Sequence, residues 1–420
     1  MALIQRYAEF IILLKGTTFK MNKQNRAKIG SSETTREAFV FNFNLDQVLP
    51  SSTPLTGEEI EKKRTFLEWF IGFVEGDGSF ALAKFATRKN STNHRPSLQI
   101  NQKEPQVLYN IKKSLGFGTV VSANEKQPGR KYYRYSAYKL SSVKQLIALV
   151  NGNLLLHKAG IRFANWVTAY NGLCDQRAEL ARQRTSKSMR ENYLLQQDLG
   201  GKITLKQSAI ELNLDSAWLA GFTDAEGGFY ASLSSNKKHS TGFRERLKFY
   251  IVQKGERQLL QKIDALVQAA SVEKYAANLS PAKLEEACSC SASPDADAPL
   301  VDACITKGSS EKPKYCKRCL HAILCRSSHI SEVRGKPDTY RLELTRRENL
   351  EVLVEYFDRY PLLTKKTLMF IRWKRLVLRG KAIRKAALKS EKAMRRYTRL
   401  YGSVGKIREV YNYNSDSDQD

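Results

Sequence analysis

The sequence predicts an α+β protein built of two pseudo-symmetric halves, each running helix, two strands, helix, two strands, helix. The first observation is a long-range repeat: FLEWFIGFVEGDGSF at Phe66–Phe80 recurs as SAWLAGFTDAEGGFY at Ser216–Tyr230, with aligned positions 149 residues apart. That offset suits a duplicated domain and is far too long for a solenoid period. The second is that both copies are followed by the same succession of hydrophobic patterns. The third is size: 420 residues, 42% hydrophobic and 10% aromatic, are enough to bury a core without disulfides.

Taken in order, each motif segment reads as a helix. Thr65 and Glu68 form a candidate capping box in the first copy, and Asp215 is the candidate cap in the second. Gly78 and Gly227 supply the stops. Alternating stretches follow and end in Gln-Lys pairs, at Ile100–Lys103 and Ile251–Lys254. Apolar residues then recur at three and four positions over Val107–Leu115 and Gln258–Val267, predicting helices. Strand-like runs come next, at Lys131–Leu140 and Thr339–Thr345, and another helix follows each. Each half closes on a lysine near the start of a long amphipathic helix, Lys158 in one and Lys366 in the other.

These landmarks divide the chain into an N-terminal extension (1–64), a first half (65–174), a basic linker (175–213), a second half (214–380) and a basic C-terminal extension with an acidic tail (381–420). A segment at about 276–335, rich in Ala, Ser, Cys and Pro, interrupts the second half and reads as an insertion.

The formal net charge of +28 favours a polyanion, nucleic acid first, over a ribosomal or membrane-surface role. From Pro361 to Leu400 there are fourteen Lys and Arg against one acid, Glu391. Such a stretch suits phosphates. The longest apolar run of note, Phe10–Leu14, is too short to cross a bilayer, so no membrane partner is expected.

Six of the seven cysteines crowd between Cys288 and Cys325. Cys316, Cys319, Cys325 and His329 have spacings that can hold Zn²⁺ or leave free thiols, and the pattern suits a reducing compartment.

The chemistry lies in the repeat. Gly72 with Gly76, and Gly221 with Ala225, place small residues four apart on one helix face, where the other copy's backbone can approach closely. The two helices then end together and present Asp77 and Glu226 side by side at the negative ends of their macrodipoles. A divalent cation with oxygen ligands would reconcile the pair; Mg²⁺ also accepts phosphate oxygens, which points to phosphodiester hydrolysis. The backbone of Gly76 and Ala225 is available as a further ligand source.

FIGFVEGDG at Phe70–Gly78 and LAGFTDAEG at Leu219–Gly227 resemble the two signature nonapeptides of the LAGLIDADG homing endonucleases. The resemblance implies antiparallel sheets forming a saddle over the DNA major groove, and a staggered double-strand cut at one long, asymmetric site. Carried over by position, it implies metal-binding acids at Asp77 and Glu226 and glutamines near the catalytic water at Gln102 and Gln253. It also implies lysines near the scissile phosphates at Lys158 and Lys366, with Mg²⁺ as cofactor and Mn²⁺ able to substitute. Glu75 stands where the family has its first Asp, and Phe70-Ile71 where it has Leu-Ala. A single-chain monomer with internal pseudo-two-fold symmetry is implied, encoded in a chloroplast or mitochondrial intron.

Strand alternation places Ser97, Gln99 and Asn101 on the face opposite Leu98 and Ile100, as candidate DNA contacts. In the second half Ser232, Ser234 and Asn236 share a face, as do Arg246, Lys248 and Tyr250, and Arg134 joins from a later strand of the first. Two other functions of the same fold are an RNA maturase, with intron RNA as partner, and a DNA-binding protein that has lost catalysis. Retention of both acids favours cutting. An intein is not expected, since the sequence opens with Met rather than a splicing nucleophile.

Overall fold

The computed structural model describes residues 41–43, 56–84, 94–124, 131–183, 189–196, 199–208, 210–235, 243–277 and 328–387, and beyond these 390, 392, 395–396, 398–399 and 401–402. Those from Phe41 onward belong to one compact unit.

The first half runs α1 (Gly57–Asp77), β1 (Gly78–Lys84), β2 (His94–Gln102), α2 (Pro105–Leu115), β3 (Thr119–Asn124), β4 (Lys131–Ala137), α3 (Leu140–Val150) and α4 (His157–Arg182). After α5 (Met189–Gln196) the second half repeats the series. It contains α6 (Trp218–Glu226), β5 (Gly227–Ser235), β6 (Phe243–Lys254), α7 (Arg257–Ala277), β7 (Ser328–Glu332), β8 (Thr339–Leu344), α8 (Arg347–Arg359) and α9 (Lys366–Ala387). The predicted order holds, and each half ends in two helices, the second opening at or beside the landmark lysine.

Each half forms a four-stranded antiparallel sheet, ordered β1-β2-β4-β3 and β5-β6-β8-β7. Alternation decides which face is buried. Leu98, Ile100 and Tyr135 face the first core, where Phe80 meets Phe163 and Trp166 from α4. In the second core Phe229 meets Phe249, Phe357 and Trp373, joining β5 and β6 to α8 and α9. Each fully buried ring of this kind contributes roughly 1.5–3 kcal/mol.

Several boundaries differ from expectation. Helix α1 begins at Gly57, capped by a reciprocal box between Thr56 and Glu59. Thr65 therefore lies inside the helix, and a boundary at residue 65 would cut it. Glu68 turns instead to the other half, accepting the Ala217 N–H at 3.0 Å where α6 starts. Asp215 does not cap α6; it pairs with Arg359 at 3.2 Å. Gly78 and Gly227 end their helices in extended rather than left-handed backbone and open the following strands directly.

The expected insertion contracts from both sides, because α7 continues to Ala277 and residues 328–332 form β7. The expected linker holds the last turns of α4 and all of α5. Phe41 is buried, and Asn42 exchanges hydrogen bonds with Asn153 at 3.0 and 2.9 Å, so part of the expected N-terminal extension packs onto the first half. Among the described residues no helix is long and apolar enough to cross a membrane.

Candidate active site

Helices α1 and α6 meet backbone to backbone. A Cβ at Gly72 would collide with the Trp218 carbonyl and lie 2.9 Å from Phe222 N; one at Gly221 would collide with the Trp69 carbonyl and lie 2.9 Å from Phe73 N. These contacts exchange under the offset of the repeat, so the helices cross about a local two-fold axis. Below the crossing, Gly76 packs on Ala225, with the Cγ of Glu226 only 3.0 Å from the place a Cβ would take. Gly72, Gly76, Gly221 and Ala225 all lie where α1 and α6 approach each other.

The crossing is locked by a reciprocal pair of buried bonds. The Trp69 indole N–H donates to Asp224 at 2.9 Å, and the Trp218 indole to Glu75 at 2.6 Å. Each of these acids also holds the start of its own half's last helix. Glu75 accepts the N–H groups of Leu155 and Leu156 at 2.7 and 2.6 Å, just before α4. Asp224 accepts the N–H of Leu363 at 2.7 Å and the hydroxyl of Thr364, just before α9. Such bonds satisfy backbone donors that have no partner within the helix. Burial nevertheless dominates and pushes the Glu75 carboxyl up to about 7. Sequence reasoning noted Glu75 only as a departure from the family pattern and missed this role.

Asp77 and Glu226 end the two helices together. Burial raises both carboxyls, and the Asp77 charge adds to the rise at Glu226, which reaches about 7. Gln102 donates to Asp77 at 2.7 Å from the end of β2. Gln253 stands in the equivalent place one residue before the end of β6, with its side-chain oxygen accepting the Lys254 N–H at 3.1 Å.

The lysines part company. Lys366 is half-buried, its ammonium donating to the carbonyls of Thr223 and Ala225 at 3.1 and 3.0 Å, the negative end of α6. Burial lowers its affinity for the proton, while the charges of Asp224, Asp77 and Glu226 hold the proton on. A fixed cation therefore already meets part of the demand of the two acids, and the Ala225 carbonyl is engaged by it. Lys158 departs from expectation. Its side chain is half exposed and points to Asp338 in the second half at 3.3 Å, because that carboxylate is within reach. Its backbone N–H donates to Glu256 at 3.1 Å. On the other side of the seam, Lys365 pairs with Glu104 of the first half.

The outward sheet faces hold most of the expected contacts. Gln99 and Asn101 stand beside Ser136 and Arg134, and Arg134 donates to Asn101 at 2.9 Å. Ser97 shares that face but is only 3% exposed, with Gln99 lying over it at 3.5 Å, which removes it as a direct contact. In the second half Ser232 pairs with Arg246 and Tyr230 with Lys248, while Ser234 bonds the Arg244 carbonyl at 3.5 Å. Arg246 is exposed, and Lys248 pairs with Glu343. Tyr250 lies under Arg341, whose guanidinium carbon is 5.2 Å from the ring centre. Arg341 and Glu343 escaped the sequence reading, although the alternation in Thr339–Thr345 that buries Leu342 and Leu344 was the signal for them.

Asn236, Cys316, Cys319 and Cys325 lie outside the described residues. His329 is exposed in β7, opposite Glu343. Among the described residues no group of three or more His, Cys, Asp or Glu side chains is arranged to hold a metal ion.

With this geometry in place, comparison with known proteins decides the family. The sequence profile of the LAGLIDADG endonuclease matches residues 70–170, 219–283 and 315–377, covering both signature nonapeptides and both sheets. The chain belongs to the LAGLIDADG endonuclease family. It is 34% identical over 208 residues to the Neurospora crassa protein named "Probable intron-encoded endonuclease 4", a match covering 49% of this chain and 31% of that one. It is 28% identical over 206 residues to the Schizosaccharomyces pombe protein named "Probable intron-encoded endonuclease Cox1-I1b", covering 48% and 49%. The matched stretch is thus less than half the length of either relative. Among solved structures, I-SmaMI bound to uncleaved DNA target in the presence of calcium ions superposes with a TM-score of 0.50 at 13% identity, over 81% of this chain and 98% of that one. That likeness shows the LAGLIDADG fold.

Proposed function

We propose that this LAGLIDADG protein is a site-specific double-strand DNA endonuclease of the intron-homing type. The observation that carries the proposal is the pair of half-buried acids, Asp77 and Glu226, ending two crossed helices at the seam between two sheets. The chemistry of this donor set fits a hard divalent ion: two carboxylates with raised proton affinity gain from a second charge that only oxygen ligands need hold. Mg²⁺, with Mn²⁺ able to replace it, would supply charge neutralisation at a phosphate and an acidified water at this position.

The chain's own groups do the rest. Gln102 fixes the orientation of Asp77 and keeps its oxygen free for a polar neighbour. Lys366 holds positive charge under both acids, where negative charge develops on a phosphate. Lys158 serves the first-half side once bound DNA competes with Asp338 for it. The sheets lie in the major groove and read bases through outward side chains, and both halves on one chain allow action as a monomer on an asymmetric site. The relatives' names support an intron-borne gene, and we place it in an organelle genome.

The test is incubation of the full chain with the intron-lacking form of the host gene. Staggered cutting at one locus with Mg²⁺ or Mn²⁺, abolished by chelation, is expected. Metal-independent cutting, or no cutting with specific binding of intron RNA instead, would contradict the proposal.

A further inference from the structure

One outward position repeats across the pseudo-two-fold and is braced in both halves. Arg134 in β4 pairs with Asn101, and Arg341 in β8 pairs with Val252. Asn101 and Val252 each follow the isoleucine that pairs with the glycine after its motif acid, Ile100 with Gly78 and Ile251 with Gly227, so the two arginines are equivalent and stand at the sheet ends nearest Asp77 and Glu226.

The braces are built from different parts. Arg134 lies over the Tyr132 ring at 5.6 Å, with Nε donating to Asn101 at 2.9 Å and Nη2 to the Tyr132 hydroxyl at 3.1 Å. Arg341 lies over the Tyr250 ring at 5.2 Å, with Nη1 3.8 Å from Glu343. Its Nε is enclosed, which leaves the Nη edge as the outward part. Tyr250 lies flat on β5 because Gly228 opposite has no side chain; a Cβ there would sit 2.5 Å from the tyrosine oxygen. A neutral amide serves one arginine and a carboxylate the other, yet both guanidinium planes are held.

A phosphate contact needs no such brace, since any mobile cation near the backbone serves. Holding a planar fork in place before binding lowers the entropy lost on contact and favours a ligand with two acceptors in one plane. In the major groove only guanine offers that pair, N7 and O6, on one base edge.

We propose that Arg134 and Arg341 each read a guanine, one on each strand, at positions related by the local two-fold and close to the cut. The inference rests on the nuclease reading that places both sheets in the major groove, and it adds a partial palindrome to an otherwise asymmetric target.

The experiment is selection of bound duplexes from a randomised library by the full chain, with Ca²⁺ in place of Mg²⁺, repeated with Arg134→Lys and Arg341→Lys. Expected is a guanine pair on opposite strands at equal distance from the centre of the enriched site. Each lysine variant should lose preference for one of them by about 10- to 100-fold and keep the other. An enriched site without the pair, or lysine variants that keep both preferences, overturns the inference while leaving the nuclease intact. No sequence preference at all overturns the nuclease reading itself.

Discussion

At the scale of single residues, the acids of the two motifs divide into two jobs. Asp77 and Glu226 face the seam, whereas Glu75 and Asp224 each tie the facing tryptophan to the start of a helix. Removing Glu75 leaves three N–H donors unpaired, two of them buried, so Glu75→Ala is expected to destabilise the fold by about 3–5 kcal/mol in urea denaturation. The raised Glu75 pKa fixes a sign: the folded state holds this proton up to about 7, the unfolded state only to 4.5. Its contribution to stability is full below 4.5 and is lost as pH rises through 7. A melting curve series for Glu75→Gln should therefore fall less between those values than the parent series. The lysines give the opposite contrast. Lys158→Met removes an exposed pair and should change stability by less than about 0.5 kcal/mol, whereas Lys366→Met strips the cation from buried Asp224 and half-buried Asp77 and Glu226 and should cost about 3 kcal/mol or more. Equal effects in thermal denaturation would contradict these placements. The sequence showed that both lysines open helices; the path of a long side chain to Asp338, across the seam, has no signature in local pattern.

At the scale of elements, the α1 and α6 pair positions everything else. Their glycines were readable because small residues four apart on duplicated helices have few other uses in a buried interface. Gly72→Ala or Gly221→Ala drives a methyl group into the opposing backbone, so each is expected to cost about 3 kcal/mol or more and to lower the yield of soluble protein. A melting temperature unchanged by either substitution would mean that the helices do not touch here. Most strands and their inward faces followed from alternation, and the helices after the first strand pairs from apolar residues recurring at three and four positions. Helix starts were less legible: Thr65 with Glu68 has the same capping pattern as Thr56 with Glu59, and only packing at the seam, where Glu68 meets Ala217, decides between them. The edge strand β7 was hidden because its five residues adjoin a segment of biased composition.

At the scale of the whole molecule, a net charge of +28 and basic outward sheets predict binding dominated by counterion release. Affinity for a target duplex should fall by about a thousandfold or more between 50 and 200 mM salt, on the order expected for six to ten phosphate contacts; a flat response in an anisotropy titration would argue for a different partner. Duplication made the architecture legible from sequence, since two copies of one motif and one element order constrain each other. What duplication concealed is asymmetry: Gln102 grips Asp77, Lys366 underlies the second helix end, and Lys158 turns away. The most direct measurement of the central claim is single-turnover cutting of target DNA in Mg²⁺ by Asp77→Asn and Glu226→Gln, each first shown to be folded and to bind the duplex. Loss of cutting by at least about a hundredfold in both is the predicted result; undiminished cutting by either would contradict the shared metal site at the seam.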